Sequence, residues 1–210
     1  MQKKTTDKVS NKRSNKETEI KFKLLHPDAV LPEYAHPGDL GMDVYAVSVE
    51  YDKETDTYVY HTGVAAESNE GIGIFACARS SNCSKQCYLP NGFGVIDTTT
   101  YRGEILFKYK NRTSLGSQIE HVALGAYCAL PWYIRLFTKY EEVLDRTAEL
   151  VDPMKYAPYE VGDKIGQFIV MNFPKVVCTK TDILSETDRG EGGFGSTDKK
   201  KKSNKKATKE

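Results

Sequence analysis

A glycine-rich run near the end of the sequence carries groups that can bind an anion. It reads Arg-Gly-Glu-Gly-Gly-Phe-Gly-Ser-Thr over residues 189–197. Glycines let neighbouring backbone N–H groups turn toward one anion, and Arg189, Ser196 and Thr197 add side-chain donors. A GxGxxG spacing is present, but a lysine-rich tail follows where a dinucleotide fingerprint needs a helix, and Ser196 stands where a P-loop needs lysine. The run therefore predicts a phosphate-binding loop, with a flexible linker as the alternative.

An aspartate follows a second glycine-containing segment. Residues 92–96 predict a strand that ends at Asp97, and three threonines separate Asp97 from Tyr101. A carboxylate at the end of a strand can hold and deprotonate a water molecule. It can also cap a turn with the neighbouring threonines, which is the commoner role of such an aspartate. Spacing alone leaves both roles open.

A third cluster follows the apolar strand predicted over residues 72–77. It consists of Arg79, Ser80 and Ser81. An arginine fork beside two hydroxyls suits phosphate oxygens. A surface arginine beside two turn-forming serines would give the same pattern, so this cluster is a weak signal by itself.

Taken in order, these clusters resemble the motifs of the homotrimeric dUTPase family (deoxyuridine 5'-triphosphate nucleotidohydrolases). The five matching segments are residues 40–46, 79–81, 91–103, 161–169 and 189–197. The resemblance covers about residues 20–197. It implies a jelly-roll subunit, a homotrimer with active sites shared between subunits, and hydrolysis of dUTP to dUMP and pyrophosphate. That reaction keeps uracil out of DNA and supplies dUMP for dTMP synthesis.

The resemblance also implies roles for individual residues at the sugar and base. Asp97 would orient the attacking water and meet the sugar 3′-hydroxyl. Asn91 would hydrogen-bond uracil together with backbone groups of its hairpin, including Gly94. Tyr101 would pack beneath the deoxyribose and reject UTP, and Phe194 would stack on the uracil.

Phosphate, metal and positioning roles follow from the same resemblance. Asp43 would act with Asp97 as a catalytic residue by holding the catalytic arrangement together. Mg²⁺ would be bound mainly by the phosphates and water, so no protein ligand is assigned to it. The residues expected to bind the phosphate chain or close over it are Arg79, Ser80, Ser81, Gln167, Arg189, Gly195, Ser196 and Thr197.

Three departures from the family pattern stand out. Three residues separate Asp97 from Tyr101 where the family has two, so we expect a bulge or a shifted tyrosine. Ala78 stands where proline usually precedes the second motif. The link over residues 111–159 is much longer than in the family, and it could cap the core, extend the trimer contact or bind another protein.

The intervening sequence predicts an all-β fold, a jelly roll or distorted β-barrel. Short apolar runs, many of them alternating and rich in β-branched and aromatic residues, lie between turn residues. Residues 131–151 instead predict an amphipathic helix that begins near Pro131 and ends before Pro153. We expect its apolar face to pack on the β core, because so many large apolar side chains must cover something.

Composition limits the remaining function classes. The sequence has 210 residues and a net charge of +1, which predicts one principal core and makes nucleic acid an unlikely partner. No run approaches the roughly 20 apolar residues of a membrane span, and no signal peptide is recognisable, so we expect a cytoplasmic protein, or a nuclear one in a eukaryote. Five cysteines without a CxxC pair predict free thiols, since Cys83, Cys87 and His121 make an incomplete zinc set.

The predicted organisation has four parts. Residues 1–19 form a disordered lysine-rich arm, residues 20–185 the β core with the insertion 111–159, residues 186–198 a flexible glycine-rich active-site arm, and residues 199–210 a disordered lysine-rich tail. Two other functions stay open from sequence. One is a dCTP deaminase of the same fold, and the other is a catalytically weak protein that senses dUTP or binds a partner.

Overall fold

The computed structural model describes residues 18–187 and 190–191. Within these residues the chain forms ten strands, which we number in chain order. They are β1 (Ile20–Leu24), β2 (Gly41–Tyr45), β3 (Ser48–Asp52), β4 (Thr57–His61), β5 (Val64–Ser68), β6 (Ile72–Ala78), β7 (Cys87–Tyr88), β8 (Phe93–Ile96), β9 (Leu106–Asn111) and β10 (Lys164–Asn172).

The strands pair antiparallel in three sheets. The first sheet has the order β2-β10-β6-β8, the second β3-β4-β9-β7, and β1 pairs with β5. Neighbours in the sheets are mostly distant in sequence, as expected of a jelly roll. The predicted all-β jelly-roll fold is therefore confirmed, with separate sheets in place of one closed barrel in the described part of the chain.

Aromatic side chains fill the space between the sheets. Phe107 of β9 and Phe168 of β10 are fully buried, with stacked rings 6.1 Å apart. The Tyr109 hydroxyl donates to the carbonyl of Ile165 over 2.6 Å, which satisfies a polar group that would be costly to bury alone. A Cβ on Gly166 would lie 2.2 Å from the Phe107 ring, so this motif glycine is required by the packing of the core.

The insertion contains three helices where the sequence predicted one. They are α1 (Leu115–Ala129), α2 (Trp132–Arg135) and α3 (Tyr140–Leu150). The predicted helix over residues 131–151 is wrong in extent, because the chain leaves helical geometry between α2 and α3 and α1 lies wholly before it. Ser114 marks the start of α1, since its hydroxyl accepts from the Ser117 N–H over 3.2 Å.

Helices α1 and α3 pack on each other. The Tyr127 and Tyr140 rings lie 5.8 Å apart, and the Tyr140 hydroxyl donates to the carbonyl of Glu120. Only Leu115 and Ala123 are buried among the helical residues of the insertion that the structure describes. Trp132 and Phe137 are largely exposed. The expectation that the apolar face covers the β core is therefore wrong for these side chains.

By its internal contacts the chain divides into two units, Met1–Pro174 and Lys175–Glu210. In the second unit residues 175–187 form no helix or strand. The boundaries that the sequence predicts at residues 19, 185 and 198 stay predictions. No helix in the described part of the chain has the length and apolarity to cross a membrane.

Candidate active site

Four motif residues meet at one end of the first sheet, and we call them the cationic cluster: Asp43, Arg79, Lys164 and Gln167. Strand β10 lies between β2 and β6, and its register places Gln167 beside both Asp43 and Cys77. Arg79 follows the end of β6, and Lys164 opens β10 just before a register shift. The antiparallel order of these strands thus brings together residues from three of the five motifs.

The Asp43 carboxylate organises the cluster. Its side chain is 3% exposed, and one oxygen, Oδ2, accepts from Lys164 Nζ over 2.9 Å. The other oxygen, Oδ1, lies 3.1 Å from Arg79 Nε and 3.4 Å from Gln167 Nε2. The Arg79 contact is a charge pair, because Nε is not directed at the oxygen as a hydrogen bond requires.

The same contacts keep Asp43 ionised. Burial raises the pKa of this carboxyl, but the hydrogen bonds from Lys164 and Gln167 and the charges of Arg79 and Lys164 lower it further, so the net shift is downward. A carboxylate held by two cations is a poor proton acceptor. The geometry therefore suits the holding role expected for Asp43.

Ser80 and Ser81 lie beside this cluster, in the single 3-10 turn Ser80–Asn82 that follows Arg79. Ser80 is exposed, whereas the Ser81 hydroxyl lies 3.0 Å from the hydroxyl of Tyr159. Ser81 is thus engaged with the core, and Ser80 is the serine of this motif that faces solvent.

The predicted catalytic aspartate begins the carboxylate loop, residues 97–101, which follows β8. The Asp97 carbonyl accepts from the N–H groups of Thr100 and Tyr101, over 3.0 and 2.8 Å. This turn accommodates the extra residue that the sequence places between Asp97 and Tyr101. The Tyr101 side chain stays partly exposed and donates from its hydroxyl to the carbonyl of Glu104.

Thr98 fixes the carboxylate loop to the turn between β5 and β6. Thr98 is buried, with 1% of the residue exposed, and its hydroxyl donates to the carbonyl of Ile72 over 3.0 Å. The same hydroxyl also contacts the hydroxyl of Ser68. Sequence reasoning missed this anchor, because a threonine in a run of three gives no sign of which one is buried.

Asn91 and Gly94 line a cavity of about 430 Å³. This β8–β9 cavity lies where β8, the edge strand of its sheet, faces β9. Its volume is in the range of small-molecule pockets. The residues on its wall that the sequence did not predict are Thr55, Thr57, Ala76, Leu89, Pro90, Leu106, Phe107 and Lys108. Three of these residues lie close to the third motif in sequence, namely Leu89 and Pro90 directly before it and Leu106 three residues after it.

The structure does not bring the carboxylate loop to the cationic cluster. Strands β6 and β8 are antiparallel with Ile74 opposite Ile96, so Asp97 lies near Gly73 at the end of the sheet opposite Arg79. Six residues at about 3.3 Å each put these ends roughly 20 Å apart. In one chain, Asp97 therefore lies at the end of the sheet opposite Asp43 and the predicted phosphate-binding residues beside it.

Five predicted site residues lie outside the described residues: Arg189, Phe194, Gly195, Ser196 and Thr197. Their roles stay predictions. In the described part of the chain no group of three or more His, Cys, Asp or Glu side chains converges as a metal site.

No family model matches the chain. Individual proteins, however, are similar to it in sequence. A deoxyuridine 5'-triphosphate nucleotidohydrolase of Picosynechococcus is 29% identical over 179 residues, which are 85% of this chain and 97% of the relative. The enzyme of that name from Clostridium tetani is 28% identical over 185 residues, 86% of this chain and 97% of the relative. That from Thermobifida fusca is 26% identical over 179 residues, 85% of this chain and 78% of the relative.

Solved structures show the same fold. A Staphylococcus bacteriophage 80alpha dUTPase variant with dUpNHpp matches with a TM-score of 0.56 at 20% identity, covering 86% of this chain and 99% of that chain. A dUTPase variant from phage phi11 of S. aureus matches with a TM-score of 0.51 at 18% identity, covering 80% of this chain and 100% of that chain. The resemblance predicted from the motifs is confirmed, because the chain is similar in sequence to enzymes named deoxyuridine 5'-triphosphate nucleotidohydrolase and similar in fold to solved dUTPases.

Proposed function

We propose that the protein is a dUTP diphosphatase that hydrolyses dUTP to dUMP and pyrophosphate. The observation that carries this proposal is the pairing, on one sheet, of a cationic cluster with a loop that presents an exposed aspartate. Its relatives named deoxyuridine 5'-triphosphate nucleotidohydrolases, which match over most of their length, support the same reaction.

The cationic end suits the phosphates. Arg79 Nε lies 3.1 Å from Asp43 and Nη1 donates once to the Lys164 carbonyl, so the other N–H groups of Nη1 and Nη2 can meet phosphate oxygens. Ser80, exposed beside it, adds a hydroxyl donor. Gln167, whose Nε2 donates to Asp43 over 3.4 Å, would support the phosphate chain from the same position.

The β8–β9 cavity suits the base, and the carboxylate loop suits the sugar and the attacking water. We place uracil in the β8–β9 cavity, where the Asn91 amide and the free backbone edge of β8 offer both donors and acceptors. Asp97 follows directly and would orient and deprotonate the water. Tyr101 would contact the deoxyribose, and the predicted arm residues Arg189, Phe194, Gly195, Ser196 and Thr197 would complete the site.

This division requires more than one copy of the chain. A water activated by Asp97 must reach the phosphate within hydrogen-bond distance, and roughly 20 Å separates the two ends. A second copy would supply the other end, as in the proposed homotrimer. The face of the sheet that carries the partly buried Phe75 supports such contact, because it exposes several large apolar side chains. They are Phe93, Val95, Met171 and Phe173.

Mg²⁺ is the proposed cofactor. Bound to the triphosphate, it would neutralise the charge that moves to the leaving pyrophosphate. Asp43 does not suit it as a ligand, because two cations already occupy its oxygens. Asp97 is exposed and fits a role beside the metal or its bound water. The phi11 phage dUTPase is described with a structural Mg(II) ion. A cytoplasmic location and the absence of nucleic acid among the partners stay predictions.

A turnover assay on dUTP, UTP, dCTP and dTTP, followed by release of pyrophosphate and ammonia, tests the proposal. We expect pyrophosphate from dUTP alone. Ammonia from dCTP would establish the deaminase instead, and dUTP binding without turnover would establish a sensor.

Asp97→Asn tests the mechanism. Removing a general base costs about 10²–10⁴ in rate, so we expect turnover to fall by at least about 10² while dUTP still binds. Asp145→Asn, an exposed aspartate of α3, is the control and should turn over normally. Normal turnover by Asp97→Asn would overturn the role of this residue.

A further inference from the structure

The cationic cluster has a charge balance that bears on how it attracts phosphate. Asp43 and Arg79 form a pair with Nε 3.1 Å from Oδ1, and the carboxylate is nearly buried. One negative and one positive charge at this distance largely cancel at the range from which an anion approaches. Arg79 and Asp43 alone would therefore be a weak anion site.

Lys164 changes this balance. Its Nζ lies 2.9 Å from the second oxygen of Asp43, so two cations share one carboxylate and the cluster carries a net charge of +1. Its side chain is 37% exposed, and the ammonium lies over the Tyr45 ring at 5.6 Å from the centroid. The hydrogen bond to Asp43 raises the pKa of Lys164, which keeps the cation charged.

Lys164 is also coupled to the arginine of the second motif. Arg79 Nη1 donates to the Lys164 backbone carbonyl over 3.4 Å, and the guanidinium and the ammonium both contact the Asp43 carboxylate. An ammonium has three N–H donors, and the contacts with Asp43 and Tyr45 do not use all of them. A donor remains for an oxygen of a bound anion.

We propose that Lys164 binds the phosphate chain of the nucleotide and gives the cationic cluster its attraction for anions. The chemical class of the ligand is a linear polyphosphate. The identity of the nucleoside attached to this polyphosphate is the one part of the inference that rests on the proposed function.

A competing role for Lys164 is purely structural, namely neutralising the buried carboxylate. The two roles predict different results once the carboxylate is removed. Asp43→Asn with and without Lys164→Gln should bind triphosphate equally if Lys164 only neutralises Asp43, and Lys164→Gln should weaken binding there if Lys164 binds the phosphate chain. Lys164→Gln leaves Asp43 and Arg79 with no net charge. Lys164→Gln combined with Asp43→Asn leaves Arg79 alone, which restores the net charge to +1 without leaving a buried carboxylate unpaired.

The test is calorimetric titration of the full chain with inorganic triphosphate and, separately, with deoxyuridine. We expect Lys164→Gln to weaken triphosphate binding at least about tenfold and to leave deoxyuridine binding unchanged. Lys164→Arg should bind triphosphate nearly as the wild type does. The double variant should recover a large part of the lost affinity. Lys139→Gln, an exposed lysine of the insertion, should bind as wild type.

The inference is overturned if Lys164→Gln binds triphosphate as tightly as the wild type does. It is also overturned if the double variant binds triphosphate no more tightly than Lys164→Gln does. If Lys164→Gln fails to fold, the double variant is compared with Asp43→Asn. Equal triphosphate affinity of these two variants would also overturn the inference. The result is independent of turnover. A wild type that binds triphosphate through Lys164 but does not hydrolyse dUTP would refute the proposed function and leave this inference standing.

Discussion

The two ends of the β2-β10-β6-β8 sheet hold their functional side chains by different forces. At the cationic end, Arg79 and Lys164 are fixed by charge around the buried carboxylate of Asp43. At the other end, Asp97 is fixed through its neighbour Thr98, whose hydroxyl forms neutral hydrogen bonds with Ser68 and the Ile72 carbonyl. Ion pairing suits groups that must meet an anion, whereas neutral anchoring leaves a carboxylate free to act on water.

Asp43→Asn should have the largest effect, because it removes the charge that holds the cationic end together. Losing one partner of a buried ion pair costs about 3–5 kcal/mol, and the partly exposed cations put this site near the low end, at about 3 kcal/mol. Urea unfolding at pH 7 measures the loss. Asp145→Asn, on the exposed face of α3, should unfold as the wild type does, and equal stability of the two variants would contradict the central role of Asp43.

The ionised carboxylate at the cationic end also predicts how the unfolding free energy depends on pH. The pKa of Asp43 is lowered in the folded protein from its ordinary value of 3.8, so its stabilising effect is complete above that value and is lost as the pH falls toward the folded pKa. Between pH 6 and pH 3 the unfolding free energy of the wild type should therefore fall more steeply than that of Asp43→Asn. Parallel decreases would show that Asp43 is not the titrating group.

Thr98→Val tests the neutral anchor with a nearly isosteric side chain. One net hydrogen bond contributes about 1 kcal/mol, and the loosened Asp97 should lower kcat about tenfold while KM for dUTP changes little. Thr98→Ser keeps the hydroxyl and should restore kcat. Thr99→Val is the matched control, since Thr99 is exposed in the same loop. An unchanged kcat in Thr98→Val, measured well below the melting temperature, would leave Thr98 with a structural role only.

Gly103→Ala should have the smallest effect and sharpens the part played by Tyr101. An added Cβ would lie 2.4 Å from the Tyr101 hydroxyl oxygen, so the ring must move from its hydrogen bond with Glu104. We expect the preference for dUTP over UTP, expressed as the ratio of kcat/KM values, to fall several-fold. Gly125→Ala, where an added Cβ meets nothing within 4 Å, is the control. If the ratio does not change, Tyr101 does not select the sugar.

Part of this arrangement could be predicted from sequence. Alternating apolar runs predicted the strands, and the ordered motifs predicted Arg79, Asn91, Gly94 and Asp97 because each motif is local. The contact between Asp43 and Lys164 joins residues 121 positions apart, so it depends on the register of β10 against β2 and has no local signal. The separation of Asp97 from Arg79 likewise follows from strand direction, which the motif order does not reveal.

The helices were predicted less well for a physical reason. Amphipathic periodicity reports which face a helix buries, and α1 and α3 bury little beyond what they hide from each other. The start of α1 at Ser114, which we did not predict, depends instead on a local side-chain cap that is independent of packing.

The hydrogen bond that joins the two ends of the insertion has an evolutionary consequence. Asn111 Nδ2 donates to the Tyr156 carbonyl over 2.8 Å, which ties together the two points where the chain leaves and rejoins the β fold. Once the ends of a loop are held, the entropy cost of the chain between them grows only logarithmically with its length. Residues between the ends can be gained, lost or replaced with little penalty to the sheet that carries the chemistry. Natural variation among close relatives should therefore accumulate in these helices while the strands on either side change slowly.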